Sequence, residues 1–183
     1  MNSNQAKGLI LGLTLLSLLG PRVKAEDIPN PSSTQISNPQ IDIKAHLRIS
    51  SEAASYRENR RLSEAQFLKM AALPGTIVLD ARSKSKFDLL HIKGAINLSF
   101  PDIDIKSLQE TIPDKNTRIL IYCNNNFSNA PEAFPTKSAP PSLNISTFIT
   151  LYSYGYRNIY ELGPFLDAQT TKILLVSSQA SKN

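Results

Sequence analysis

Cys123 is the one cysteine among 183 residues, and a polar run, Asn124-Asn125-Asn126-Phe127-Ser128-Asn129, follows it directly. An apolar β-type run, Arg118-Ile119-Leu120-Ile121-Tyr122, precedes it. A thiolate is both a nucleophile and an anion, and backbone N–H groups in a turn can stabilise it together with an anionic substrate. The pattern therefore predicts nucleophilic sulfur chemistry at Cys123, with residues 124–129 as its substrate-binding loop. The alternative is a buried core cysteine, since free cysteine is among the most buried residue types.

The same part of the sequence disfavours two other kinds of site. His46, His91 and Cys123 are widely spaced and do not form a zinc-binding pattern. A phosphatase loop of the Cys-x5-Arg type would carry arginine six positions after the cysteine, and that position is Asn129. We therefore expect a site without a metal and without a cofactor, and phosphatase activity is disfavoured.

Secondary-structure signals alternate between strands and helices around Cys123. Predicted strands cover residues 76–80, 94–98, 118–122 and 158–162, and predicted helices cover residues 63–72, 85–90, 103–112 and 143–154. Ser63 and Gln66 fit a capping box at the first of these helices, and Gly155 suits the end of the last one. The alternation predicts an α/β fold in which helices cover both faces of a central parallel sheet. Cys123 would then lie at the carboxyl edge of that sheet, where α/β proteins bind their ligands.

The amino-terminal region has the pattern of a secretory signal peptide followed by a leader. Lys7 precedes an apolar run over residues 8–19, and Val23-Lys24-Ala25 suits cleavage after Ala25. An uncleaved membrane anchor is the alternative, although the run is shorter than the roughly 20 apolar residues that span a bilayer. We expect a signal peptide over residues 1–25, a flexible leader over 26–61 that contains a short helix from Ala53 to Arg61, a folded domain over 62–168 and a tail over 169–183. The protein would be exported, to the periplasm in a Gram-negative source and to the exterior otherwise, without a stable membrane span after cleavage.

Charge and cysteine content restrict the partners of the exported chain. Residues 1–25 contain three bases and no acid, so the remainder has 17 basic and 15 acidic residues. This near balance argues against a nucleic-acid partner, and Arg57, Arg60 and Arg61 are interpreted as one solvated helix face. A lone cysteine in an exported protein forms no internal disulfide, which favours a reactive or intermolecular role for Cys123.

Four separated motifs resemble, in the same order, those of the rhodanese-like domain over about Leu62 to Leu166. They are Val78-Leu79-Asp80-Ala81-Arg82 with Phe87, His91-Ile92-Lys93-Gly94-Ala95-Ile96-Asn97-Leu98, Ile119-Leu120-Ile121-Tyr122-Cys123 and Gly155-Tyr156-Arg157-Asn158-Ile159-Tyr160-Glu161-Leu162. The resemblance implies a sulfurtransferase of α/β fold in which Cys123 takes a sulfane sulfur as a persulfide and passes it to a thiol or another nucleophile. Its partners would be a small sulfur donor and a thiol acceptor. Asp80 and Arg82 would have a structural role, tying a strand end to its loop, and His91, at a turn before a strand, is also interpreted as structural.

Two features depart from the family pattern. The six residues after Cys123 include no arginine or lysine, which active members often carry there, although Lys137 is near enough in sequence to fold back. Residues 130–141 include four prolines, so an irregular segment follows the loop in place of a helix. The alternative function is therefore a catalytically weak or inactive module that binds an exported protein or a small anion through the loop and this segment. If the missing cation limits catalysis, Asn126→Arg or Ser128→Arg should increase turnover with thiosulfate.

Overall fold

The structure, a computed structural model, describes residues 38–178. The predicted signal peptide, residues 26–37 of the predicted leader and residues 179–183 of the predicted tail therefore lie outside the described residues. The chain divides between Gln40 and Ile41, and the second unit, which begins at Ile41, is compact. Within the described part of the chain, no helix is long and apolar enough to cross a membrane.

A five-stranded sheet lies at the centre of the second unit, and every neighbouring pair of strands in it is parallel. In spatial order the strands are β1 (Arg61–Leu62), β7 (Ile159–Leu162), β5 (Arg118–Tyr122), β2 (Thr76–Asp80) and β4 (Ile96–Asn97). Two small pairs complete the strands: antiparallel β3 (His91–Ile92) with β9 (Leu175–Val176), and parallel β6 (Phe127–Ser128) with β8 (Leu166–Asp167). The predicted α/β fold with a central parallel sheet is confirmed.

Helices pack on the two faces of this sheet. They are α1 (Ile43–Arg57), α2 (Glu64–Ala71), α3 (Lys84–Leu89), α4 (Ile105–Thr111) and α5 (Leu143–Ser153). Side chains of β5 alternate between two buried clusters: Ile119 and Ile121 pack with residues of α1, α4 and α5, and Leu120 and Tyr122 pack with Phe67 of α2. Because both faces of the strand are buried, its sequence is a continuous apolar run, as expected for a central parallel strand.

The local signals that begin and end two of these helices act as predicted. The Ser63 side chain accepts a hydrogen bond from the backbone N–H of Gln66, and the Gln66 side chain accepts one from the N–H of Ser63. At the end of α5, Gly155 has a φ of 92°, which a residue with a Cβ rarely adopts, and its N–H donates to the carbonyl of Tyr152.

Both ends of the described region contain more regular structure than the sequence predicts. Helix α1 begins at Ile43, well before the expected Ala53–Arg61 helix, because the side chain of Asp42 caps its first turn. Ala53 is fully buried and belongs to the same cluster as the sheet. Strand β9 lies inside the predicted tail and pairs with β3. The short apolar face of α1 and the two-residue length of β9 give weak sequence signals.

Candidate active site

Cys123 follows the last residue of β5 and caps a 3₁₀ turn over Asn124–Asn126. Since β5 lies between β7 and β2, the sulfur is at the carboxyl edge of the middle of the sheet. The Cys123 Sγ accepts a hydrogen bond from the backbone N–H of Asn125 at 3.4 Å and lies 3.6 Å from the Ser142 Oγ. The residue is 1% exposed. Within the described residues, the sulfur is therefore held by one loop N–H and one hydroxyl.

Asn126 holds the cysteine turn in place. Its Oδ1 accepts hydrogen bonds from the Cys123 N–H at 2.8 Å and from the Asn144 side-chain amide at 3.0 Å. Its Nδ2 donates to the carbonyls of Leu162 at 2.8 Å and Pro164 at 3.1 Å. One buried amide thus joins the ends of β5 and β7 to the first turn of α5. Asn126 is structural in this geometry, and Asn126→Arg would remove four hydrogen bonds of the turn as well as add a charge, so Ser128→Arg is the cleaner test of the expected gain in turnover.

The turn at Cys123 ends at Asn126, so it is shorter than the substrate-binding loop predicted over residues 124–129. Phe127 is buried and packs against Phe134 with ring centroids 4.7 Å apart. The Ser128 hydroxyl donates to the carbonyl of Leu166, and the Asn129 side chain donates to the carboxylate of Asp167. Phe127 and Ser128 pair with β8, and Asn129 bonds to Asp167 of that strand, so these three residues do not surround the sulfur. Of the six predicted substrate-binding residues, Asn125 and Asn126 line the cavity at Cys123, while Asn124 lines a neighbouring one.

A cavity of about 270 Å³ borders Cys123. Besides the cysteine and the two asparagines, its walls include Ser142, Asn144, Ala139, Arg57, Arg61 and Glu161. The Asn144 side-chain oxygen is buried and has no hydrogen-bond partner within the described residues. The cavity is therefore polar, and its charged groups come from elements outside the cysteine turn.

Two arginines converge on Glu161 in this cavity. Arg57, the last residue of α1, donates from Nε to Oε2 at 2.9 Å and from Nη2 to Oε1 at 2.5 Å. Arg61, the register partner of Glu161 across the β1–β7 pair, donates from Nε to Oε1 at 2.9 Å. The interpretation of Arg57, Arg60 and Arg61 as one solvated face is wrong: Arg60 stacks on the Tyr56 ring, 4.2 Å from its centroid, and does not line this cavity. Sequence reasoning missed the arginine pair because its partner is 100 or more positions away.

The proline-containing segment over residues 130–141 covers part of the site. Its first half is packed: Phe134 is 2% exposed, and the carbonyl of Ala133 accepts a hydrogen bond from Arg82. Farther on, the backbone of Lys137 exchanges two hydrogen bonds with the side chain of Asn125. The segment is thus anchored to the core at one end and to the cysteine turn at the other. Lys137 borders the neighbouring cavity with Asn124, not the cavity of Cys123.

Asp80 and Arg82 form a buried ion pair at the end of β2. The guanidinium contacts both carboxylate oxygens, and its remaining N–H groups donate to the carbonyls of Ala133 and Leu90. The Tyr122 hydroxyl donates to the same carboxylate at 2.5 Å. Burial, reinforced by the negative charge of Asp80, raises the pKa of the Tyr122 hydroxyl far above its ordinary value. This network ties β2 to β5 and to the proline-containing segment, and it does not line the Cys123 cavity.

His91 lies at the start of β3, away from the sulfur. Its Nδ1 is 2.7 Å from the carbonyl oxygen of Phe87, and its ring stacks on the Phe87 ring with centroids 3.7 Å apart. Across the described residues, no three His, Cys, Asp or Glu side chains are grouped so that they could hold a metal ion.

Comparisons with known proteins identify a family for this chain. The model of the rhodanese-like domain matches residues 63–162. Among solved structures, the chain is similar to the BH2092 protein of Bacillus halodurans, with 17% identity, 72% of this chain and 87% of that chain covered, and a TM-score of 0.48. The rhodanese-like domain of the Anabaena sp. Alr3790 protein is 17% identical, with 68% of this chain and 83% of that chain covered and a TM-score of 0.46. A thiosulfate sulfurtransferase from Pseudomonas aeruginosa is 16% identical, with 73% of this chain and 24% of that chain covered and a TM-score of 0.47.

A comparison with curated proteins gave no match. The family model covers more than half of the chain, and the motifs that it matches include the strand before Cys123. This chain belongs to the rhodanese-like domain family.

Proposed function

We propose that this protein is a sulfurtransferase in which Cys123 carries a sulfane sulfur as a persulfide. In the first half-reaction the Cys123 thiolate attacks the outer sulfur of a donor such as thiosulfate. A new S–S bond forms, the S–S bond of the donor breaks, and sulfite leaves with the electron pair. In the second half-reaction a thiolate acceptor attacks the outer persulfide sulfur, which restores the Cys123 thiolate and yields the acceptor persulfide.

The position of Cys123 is the observation that carries this proposal. The sulfur lies at the carboxyl edge of the central strand, accepts a hydrogen bond from the Asn125 N–H and borders a polar cavity. A backbone N–H and a hydroxyl, that of Ser142, favour a sulfur anion without a metal ion. Because Cys123 is 1% exposed, both donor and acceptor must be small enough to enter the cavity. We therefore propose a small sulfur donor and a low-molecular-weight thiol as the partners.

The test is intact-protein mass spectrometry after incubation with thiosulfate. The expected result is a gain of one sulfur atom, removed by a reducing agent and matched by an equal amount of sulfite. Cys123→Ser should show no gain. Its fold should be retained, since serine is close in size to cysteine and the Asn125 N–H and the Ser142 hydroxyl can both bond to the new hydroxyl. A folded wild-type protein that gains no sulfur from thiosulfate or from an organic persulfide would contradict the proposal and favour a binding module of the same fold.

Export is a separate proposal that depends on residues outside the described part of the chain. We propose that a signal peptide over residues 1–25 directs the protein out of the cytosol and is removed after Ala25. Amino-terminal sequencing of the protein from its native cells should begin at Glu26. A cytosolic form that begins at Met1 would contradict this proposal and leave the cysteine chemistry unaffected.

A further inference from the structure

We propose that Arg57 and Arg61, oriented by Glu161, form the anion-binding subsite of the Cys123 cavity and select sulfur donors that carry their own negative charge. This inference builds on the proposed function, because it names the class of donor for the same site. Such a donor carries its outer sulfur next to an anionic group, as thiosulfate does. The arginines would hold its oxygen atoms while the outer sulfur meets Cys123.

Charge is the first argument. Arg57, Arg61 and Glu161 are the charged side chains that line this cavity, so two fixed positive charges face one negative charge. Arginine stays protonated under all ordinary conditions. Apart from Cys123 itself, the cavity therefore has a surplus of one positive charge, which balances the thiolate when the cysteine is ionised. The cysteine turn itself, Asn124–Asn126, brings no charge, so an anionic donor that reaches the thiolate needs this surplus to offset the repulsion between the two anions.

Orientation is the second argument. Glu161 is 1% exposed at its side chain and receives hydrogen bonds from the Nε atoms of both arginines. A buried carboxylate that accepts these bonds fixes the planes of both guanidinium groups. Among the described residues, the Nη1 atoms of Arg57 and Arg61 donate to no protein acceptor. Those N–H groups can donate hydrogen bonds to the oxygen atoms of a bound anion, as guanidinium groups do with carboxylate and phosphate.

The positions of the two arginines in the fold explain how the site can bind an anionic donor although the cysteine turn has no basic residue. Arg57 ends α1 and Arg61 begins β1, and β1 is the edge strand next to β7, on which Glu161 lies. The positive charge thus reaches the cavity from the edge of the sheet and not from the turn. This arrangement predicts that α1 is required for donor selection although it lies before the segment matched by the family model.

The experiment measures alkylation of Cys123 by two reagents of nearly equal size, anionic iodoacetate and neutral iodoacetamide. Each forms an S–C bond as the thiolate displaces iodide, so neither depends on sulfur transfer. Because Cys123 is the one cysteine of the chain, mass spectrometry gives both rates directly. The quantity of interest is the iodoacetate-to-iodoacetamide rate ratio in the folded protein divided by the same ratio in urea, where the cavity is absent.

Three substitutions change the charge of the cavity by one unit each. Arg57→Gln and Arg61→Gln should each lower the ratio roughly threefold to tenfold, the range expected for a charge in a partly exposed site. Glu161→Gln should raise it by a similar factor, and added salt should bring all variants closer together. Arg60→Gln is the matched control, since Arg60 adjoins Arg61 in sequence but does not line the cavity, and its ratio should equal that of the wild type.

Opposite changes for the arginine and glutamate variants, with Arg60→Gln unchanged, would support the subsite even if no persulfide forms on Cys123. Equal ratios in the wild type, Arg57→Gln, Arg61→Gln and Glu161→Gln would overturn it even if sulfur transfer is observed. A folded wild-type protein whose Cys123 reacts with neither reagent would also overturn it, because the cavity would then admit no ligand. Circular dichroism identifies any variant that fails to fold, and the other two variants then decide the result.

Discussion

Asn126→Ala should destabilise the protein much more than the same substitution at the adjacent Asn125. The Asn126 amide makes three buried hydrogen bonds, to the Cys123 N–H, the Asn144 amide and the Leu162 carbonyl, and a fourth to the Pro164 carbonyl. Removing the side chain leaves these groups without their partner, and each buried polar group that loses one costs about 1–3 kcal/mol.

Even at about 1 kcal/mol for each of the three buried bonds, Asn126→Ala should lower the free energy of unfolding by about 3 kcal/mol. For a domain of this size that corresponds to a decrease in Tm of roughly 10 °C. Asn125→Ala removes two exposed hydrogen bonds to the Lys137 backbone and keeps the Asn125 N–H that reaches the sulfur. It should cost less than about 1 kcal/mol.

Urea unfolding followed by circular dichroism measures both values on the same protein. A difference between the two variants of less than about 1 kcal/mol would refute the reasoning, because it would mean that water replaces the Asn126 amide without cost. A second consequence can be measured at the same time. Since Asn126 fixes the Cys123 N–H, its loss should loosen the turn, and iodoacetamide should alkylate Cys123 faster in Asn126→Ala than in Asn125→Ala at urea concentrations where both remain folded.

Three further predictions concern other parts of the fold. Tyr122→Phe removes a buried donor to Asp80 and should lower the free energy of unfolding by about 1–3 kcal/mol in urea denaturation. Gly155→Ala should cost about 1 kcal/mol by thermal unfolding although an added Cβ meets no atom within 4 Å, because the cost arises from the positive φ alone. The Thr171 hydroxyl, which donates to Glu64, lowers the pKa of this carboxyl below its ordinary value of 4.5. Its stabilising effect is therefore complete above that pH and disappears as the pH falls through the lowered pKa, so Glu64→Gln should be less stable than the wild type at neutral pH and equally stable in strong acid, as measured by urea midpoints.

Local patterns in the sequence were sufficient to predict four of the five strands of the central sheet and the position of Cys123; the two-residue β1 was missed. Buried parallel strands need continuous apolar runs, and the run before Cys123 forms β5 with the predicted bounds. Ser63 and Gly155 act through their own backbone neighbours, so their effects are also readable from a few consecutive residues. Apolar runs, capping residues and helix-ending glycines depend on interactions between residues close together in the chain, so a single sequence is enough to identify them.

The composition of the site depends on contacts between residues far apart in the chain, and no local pattern reports them. The polar run after Cys123 has the composition of an exposed loop, yet pairing with β8 draws Phe127 into the core. Arg57 and Arg61 have the appearance of surface charges until Glu161 is placed beside them. The position of the turn around the sulfur was therefore predictable from the sequence, but the side chains that surround the sulfur were not.

The lengths of the sheet's outermost strands affect how the protein behaves in a crowded solution. Both edges, β1 and β4, are two residues long, whereas the strands between them have four or five. An edge strand presents unpaired N–H and C=O groups on which another chain can add a strand, and a long, flat edge promotes aggregation. Here each edge offers such groups over two residues only, and Arg61 adds a charge at one of them. The fold therefore limits strand-by-strand self-association while the apolar runs of β2 and β5 remain enclosed within the sheet.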